Sequence, residues 1–283
     1  MPILLETAYL PPIGYMAEVL RASKVIIEVN ETYQKQTFRN HCSIYGPNGK
    51  QILSIPVVKV YGNHTTTKDI RISDHQPWQK IHWRSIETAY NNSPFFLFYQ
   101  DVFAPFYEKK FGFLVDWNLE LLNVILKIMK IEVQISLTSR YEKYPLIESG
   151  PSVDLNLKNT IGTTGVHENL LDKKPIGNSE GKGNLIDNTS FGISNTKGNL
   201  IDDKSFGISD LKNNPDQEKT GGMKDLRDKL IQKNTDMQME YPGYTQVFEP
   251  RHGFIPGLSA IDAIFNLGPE TGDYLGQVVH GCL

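Results

Sequence analysis

Cysteine is almost absent from this chain. Cys42 and Cys282 are the two cysteines among 283 residues, which excludes a disulfide framework and reads as reduced thiols in a cytoplasmic protein. Neither charge sign is in large excess: 29 Lys and Arg stand against 32 Asp and Glu, a formal net charge of -3. That balance lacks the basic footprint of a nucleic-acid-binding protein, so no nucleic-acid partner is expected. No apolar run is long enough to span a bilayer, and the first residues lack a charged n-region followed by an apolar h-region. Neither a membrane span nor a secretory leader is therefore expected. The seven histidines are scattered without an i, i+4 pair, so no metal is assigned. No P-loop spacing and no Gly-X-Ser-X-Gly elbow occurs, and no cofactor is assigned.

What the chain does have is a duplicated middle. The segment from Gly183 to Ser194 (GNLIDNTSFGIS) returns fifteen residues later from Gly198 to Ser209 (GNLIDDKSFGIS). Worn copies surround Asn169–Asp172 with Ile176-Gly177, and end at Ile161-Gly162. This period fits no common solenoid. Each copy offers only Leu, Ile, Phe and Ile as apolar groups. That is little to offset roughly 1–2 kcal/mol of backbone entropy per ordered residue. Residues 146–222 therefore read as a disordered low-complexity insertion. The flanks, 1–145 and 223–283, then form a single α/β domain, a Rossmann-like layered sheet with a β-hairpin.

Within the flanks, Thr7–Pro12 is extended, Ile13–Arg21 has helical apolar spacing, and Lys24–Val29 is a buried strand. Tyr33–Ile44 and Gln51–Val57 read as extended arms around the turn Gly46-Pro47-Asn48-Gly49. A strand follows over Asp69–Ser73. Helices are expected from Trp78 to about Tyr90, over Pro94–Phe111, and over Leu119–Met129. Val133–Leu137 is a further strand, and Leu226–Lys233 a short helix. Ser259 caps a last helix, with Asp262 in the capping-box position.

Three clusters carry possible chemistry. As a strand, Tyr33–His41 would put Tyr33, Lys35, Thr37, Arg39 and His41 on one face, suited to a phosphate or carboxylate; the alternative is a solvated polar face. In the helix opened by Trp78, residues Trp78, His82, Ile86 and Tyr90 share a stripe. There His82 is either a hydrogen-bonded core residue or a general acid–base. Arg84 is a solvated charge or an anion contact. Arg251-His252, followed by a Gly/Pro loop and the capped helix, resembles an anion site at a helix N-terminus, or else a connector whose charges face water.

Several blocks carry a family resemblance. They are Leu10–Tyr15, Tyr33–Lys35 with Arg39-Asn40, Gly46–Gly49 before Leu53–Val57, and Gln76-Pro77-Trp78 with His82. Ala89–Phe96, Asp116–Leu119 and Phe254–Asp262 through Pro269 complete the set. Together they resemble the WbqC-like family. The resemblance implies a cytoplasmic transferase of acyl or aminoacyl groups, glycine in one suggestion, onto a sugar in O-antigen or other surface-polysaccharide assembly. Its partner would be a small-molecule substrate with an anionic or phosphorylated group. Lys35, Arg39 and Arg251 would hold that group, with Arg84 as a further contact. His82 or His252 would move a proton during amine attack, while Asn40 and Tyr90 would orient the substrate. Relatives carry a His-Gln-Pro element at the end of the first strand, whose histidine falls at Leu5 here. A second Gly-rich block is replaced by the insertion. These departures carry the alternative, a nucleotide- or sugar-binding module without activity. The sequence assigns no oligomeric state.

Overall fold

The computed structural model describes residues 1–143, 222–230 and 239–280. The duplicated stretch and Cys282 lie outside them. Strand β1 (Ile3–Glu6) is buried along its whole length and forms the middle of a parallel sheet. Strand β2 (Lys24–Glu28) pairs with it in a register that sets Ile3 opposite Val25 and Glu6 opposite Glu28. A parallel pair needs a crossover, and α1 (Ile13–Arg21) supplies it. Pro12 holds the backbone extended just ahead of α1, with φ -69° and ψ 158°, as its ring dictates.

After β2 the chain leaves the sheet. It forms the hairpin β3 (His41–Gly46) and β4 (Gly49–Ser54), then the short antiparallel pair β5 (Val57–Val58) and β6 (Arg71–Ile72). Three helices follow, α2 (Trp78–Tyr90), α3 (Phe96–Glu108) and α4 (Leu114–Ile128). Pro105 sits inside α3. The carbonyl its missing N–H would have met belongs to Asp101, which is exposed, so water can satisfy it. Helix α4 buries Trp117, Leu121, Leu122, Ile125 and Leu126 at helical spacing, the stripe of a core-facing helix. Trp117 meets Phe111 at 4.9 Å and Trp78 at 5.1 Å between ring centroids.

The chain then returns to the sheet. Strand β7 (Gln134–Leu137) runs parallel to β2, and β8 (Lys224–Asp225) runs parallel to β1 on its other side. The strand order is β7-β2-β1-β8. The sheet thus grows outward from β1 in one direction and then switches to the opposite flank. The remaining elements are β9 (Met239–Glu240), α5 (Glu249–His252), α6 (Ala260–Leu267), α7 (Thr271–Gln277) and β10 (Val279–His280). A parallel sheet combined with helices makes this a mixed α/β fold.

The two flanks interlock at the proline-rich blocks. Ile13 N–H donates to Leu258 O, Ala260 N–H to Pro11 O, and Ser259 Oγ–H to Leu10 O. Every partner in this seam is buried, so each bond spares a backbone group that could not reach water.

Four local expectations are corrected. Tyr33–Asn40 is a turn-rich loop, not a strand: Gln36 takes a left-handed φ of 58°, and Thr37 O accepts both Asn40 N–H and His41 N–H. The shared face of Tyr33, Lys35, Thr37, Arg39 and His41 is therefore lost; Arg39 is buried and Lys35 exposed. Residues 226–230 are not helical: Leu226 N–H extends the β8 ladder to Leu4 O, and Asp228 is left-handed at φ 59°. Of the expected strand at Asp69–Ser73, only Arg71–Ile72 pairs, because Thr67–Asp69 winds into a 3₁₀ turn. Ser259 caps α6 through Ile261 N–H, but its own N–H goes to Ser43 O, so Asp262 does not close a capping box.

Candidate functional site

Parallel strands point their carboxyl ends the same way. In open α/β sheets ligands settle outside those ends, where the strand order switches. Here that edge is acidic. Two strands read three apolar residues and then glutamate, Ile3-Leu4-Leu5-Glu6 and Val25-Ile26-Ile27-Glu28. Their register brings Glu6 and Glu28 side by side. Strand β8 adds Asp225 and the turn Leu226-Arg227-Asp228.

A cavity of about 380 Å³ opens at this edge, lined by Glu31, Thr32, Tyr33, Gln34, Tyr141, Asp225, Arg227 and Asp228. These residues end β8 or follow β2, β7 and β8. Its size falls at the small end of the roughly 300–1,000 Å³ typical of small-molecule sites.

Two guanidinium groups organise the walls. Arg39 is fully buried; its Nε donates to Glu31 Oε1 at 2.6 Å and its Nη1 to Asp228 Oδ1 at 3.1 Å. Burial alone would lower its pKa, but the bond to Glu31 and the charges of Glu31, Glu6 and Asp228 raise it instead. Asn118, from the Asp-Trp-Asn-Leu block on α4, donates to Arg39 O at 2.8 Å and fixes the loop. Arg227 reaches Glu28 Oε2 at 3.1 Å and Asp225 Oδ2 at 2.7 Å. Glu28 Oε1 in turn accepts Asn30 N–H and Thr138 Oγ1–H.

Glu6 stands behind the wall. Its Oε2 accepts the Asp228 backbone N–H at 3.2 Å. Burial pushes its pKa up to about 7, against the opposing pull of Arg39. Burial likewise raises Glu31, again opposed by Arg39. Four polar atoms of this neighbourhood are buried without a hydrogen-bond partner: Glu6 Oε1, Arg39 Nη2, Asn118 Oδ1 and the Tyr33 hydroxyl. Such orphans are rare in folded proteins.

The structure gathers few of the residues selected from sequence. Lys35 and Arg39 share the loop after β2, with Lys35 beside Gln34 of the wall. Asn40 is buried; its Nδ2 donates to Ile55 O at 3.0 Å, and its Oδ1 has no hydrogen-bond partner. Tyr90 is buried and its hydroxyl accepts Tyr45 N–H. Arg84 is exposed on α2. His82 lies in the core, its Nδ1 2.9 Å from the Tyr9 hydroxyl and its ring against Trp78, and burial lowers its pKa to about 4.

Arg251 and His252 are exposed at the far tip of the hairpin, where both side chains reach Pro47 O. Arg39 precedes β3, and Pro47 follows it. The six residues of β3 separate the two places by on the order of 20 Å at roughly 3.3 Å per residue. The N-terminal N–H groups of α6 offer no anion site either, being spent on Pro11 O and on Ser259. A basic hollow shared by Lys35, Arg39 and Arg251 is therefore not what the chain builds. The wall of the carboxyl-edge cavity carries three carboxylates and one guanidinium.

Sequence reasoning missed Glu6, Glu28, Glu31, Asp225, Arg227 and Asp228. A signal was available for the first two: each glutamate ends a short apolar strand, an unfavourable place for a charge unless the edge is a site. The Asp225–Asp228 turn gave none, since only pairing with β1 brings it to the edge.

Fold and site together describe an α/β protein with a charged cleft at the carboxyl edge of a parallel sheet. Among the described residues no helix is long and apolar enough to cross a membrane, and no group of three or more His, Cys, Asp or Glu is arranged to hold a metal ion. The chain belongs to the WbqC-like protein family, whose sequence pattern matches residues 7–164. It is similar to the uncharacterised protein Rv1507c of Mycobacterium tuberculosis, at 29% identity over 140 residues, 49% of this chain and 60% of that relative's length. No solved structure matches it.

Proposed function

We propose that this protein is a cytoplasmic transferase that moves an acyl or aminoacyl group onto a sugar in surface-polysaccharide assembly, with its substrate in the carboxyl-edge cavity. The observation that carries this reading is the placement of Glu6. A buried carboxyl with a pKa of about 7 lies behind the wall of an open polar cavity, where the strand order switches sides. Ionisable groups tuned to neutral pH cluster at functional sites. The order β7-β2-β1-β8 is also that of the first four strands of a doubly wound nucleotide-binding sheet, which supports a Rossmann-like reading.

In this scheme Asp228, on the wall, takes the proton released by the attacking nucleophile. Glu6 sets how negative that wall is. Arg39 positions Asp228 and Glu31, and Lys35, next to the wall, meets a phosphate or carboxylate of the substrate. Arg251 and His252, at the hairpin tip, and His82, in the core, have no part in it.

The test is turnover of glycyl and other acyl donors with nucleoside diphosphate sugars. Asp228→Asn is expected to lose at least a hundredfold in rate, within the range for general acid–base groups, and His252→Ala to keep full rate. Full activity in Asp228→Asn with loss in His252→Ala would overturn the assignment.

A second reading, a binding module without turnover, is favoured by one observation. Leu5, where relatives place a histidine, is an apolar side chain with no exposure. Thermal stabilisation by nucleoside diphosphate sugars, aminoacyl donors or ATP with no product formed would establish it.

A further inference from the structure

We infer that the outer face of the α2–α3 hairpin is the surface on which two copies of this chain pair as a symmetric dimer. It uses no residue of the carboxyl-edge cavity and stands apart from the transferase reading.

The argument starts from α3. The helix buries Phe96, Phe103 and Tyr107 on its inner side. Its outer side is apolar too: Leu97 and Phe98 are 67% and 74% exposed, and Val102 and Pro105 are exposed with them. Phe98, Val102 and Pro105 follow one another at steps of four and three residues, so they form one stripe, with Leu97 beside it. A helix apolar on all sides is normally covered on all sides; among the described residues nothing covers this one.

The charges beside the stripe select the partner. Helices α2 and α3 run antiparallel: Gln79, at the start of α2, donates from Nε2 to Phe106 O and Lys109 O at the end of α3. The exposed charges of α2 are Lys80 and Arg84, both positive, while its Glu87 is half-buried. Those of α3 are Asp101 and Glu108, both negative. Among the described residues none of the four exposed charges has an ion-pair partner. Lys109 and Lys110, just past α3, are already paired with Glu120 and Asp74.

A two-fold axis running along the hairpin, between its helices, lays α2 of each copy over α3 of the other at unchanged height. Lys80 then lies level with the partner's Glu108. Arg84, about 6 Å further along α2, falls between the partner's Glu108 and the partner's Asp101, within reach of the second. The face is thus complementary to itself, as a two-fold interface requires, and each contact forms twice. A lipid surface is a poorer match, since an anionic membrane calls for cations around the apolar stripe and half of these charges are acidic. The face is also small. Two helices of 13 residues, each about 20 Å long and about 8–10 Å apart, give a footprint on the order of 400 Å². That is below the roughly 800 Å² a side of a standard interface, so a reversible monomer–dimer equilibrium is expected.

Sedimentation velocity on the full chain over a concentration series reads that equilibrium. The dimer should form as concentration rises and weaken as salt rises. Phe98→Asp alters an exposed side chain, so it should unfold at the parent's denaturant midpoint and stay monomeric. Arg84→Glu and Asp101→Lys should each weaken the dimer roughly tenfold, because each sets like charges opposite one another. Both substitutions in one chain should restore pairing to within a few-fold of the parent. A second substitution does not rescue a folding defect, so restored pairing marks a contact.

A chain that stays monomeric up to submillimolar concentration would overturn the inference, and so would a dimer untouched by Phe98→Asp. Binding of the monomer to vesicles of anionic phospholipid, lost in Phe98→Asp, would give the face to a membrane instead. A double variant no more dimeric than either single one would refute the symmetric pairing.

Discussion

The backbone N–H of Asp228 donates to the Glu6 carboxylate across 222 residues of chain. This bond ties the end of β1 to the turn after β8 and joins the two flanks at the cavity. Asp228 reaches it from a left-handed backbone, φ 59°. Aspartate tolerates that conformation better than most residues, and sparsely populated conformations concentrate at functional sites.

Glu6 makes stability depend on pH. Its folded-state pKa, about 7, lies above the reference value of 4.5, so the folded protein holds this proton more tightly than the unfolded chain. The resulting stability is fully present below about pH 4.5 and is lost as pH rises through 7. Glu6→Gln should therefore gain on the parent by on the order of 3 kcal/mol between pH 4.5 and pH 8. Urea denaturation at the two pH values reads this directly; an unchanged gap refutes it.

Arg39 pairs with the buried carboxyl of Glu31. Arg39→Met leaves Glu31 buried with no guanidinium and removes the ion pair from Arg39 to the half-buried Asp228. Breaking a buried pair from one side costs about 3–5 kcal/mol, and denaturant midpoints should show a loss of that size. A loss below 1 kcal/mol would mean that the network adds little to the fold.

His82 is expected to behave as a core residue. Burial lowers its pKa from 6.5 to about 4, so its imidazole should stay neutral down to about pH 5 in an NMR titration. The stability it contributes is present above pH 6.5 and is lost as pH falls through 4. An observed pKa near 6.5 would contradict the buried hydrogen bond to Tyr9.

Ser259 is both a cap and a seam. Its oxygen accepts Ile261 N–H, and its hydroxyl donates to Leu10 O at 2.9 Å. Ser259→Ala should cost about 1–2 kcal/mol, the upper part of the range for a lost cap, and should lower the melting temperature accordingly. A change of only a few tenths would show that neither bond matters.

The sequence alone determined the elements whose signals are local. Proline restricts its own backbone and its neighbour's, so α1 begins after Pro12. Gly46-Pro47-Asn48-Gly49 turns a hairpin, and Gly49 takes the positive φ of 95° the turn requires. The stripe of Trp78, His82, Ile86 and Tyr90 is buried together on α2 because helical spacing alone puts those side chains on one face. Family membership was also legible, since it depends on ordered blocks and not on where they meet.

The site was decided by tertiary structure. Arg39 looked like a basic group free for an anion, and only the fold reveals the two carboxylates that occupy it, one of them from Asp228 nearly two hundred residues away. Arg251-His252 looked like a partner for it, and only the length of β3 keeps them apart. Parallel pairing is non-local: the strand register that aligns Glu6 with Glu28 and carries Asp225 beside them leaves no periodic mark in any one segment. Charge in a sequence shows what a residue can do; burial and partners, which are long-range, decide what it is left to do.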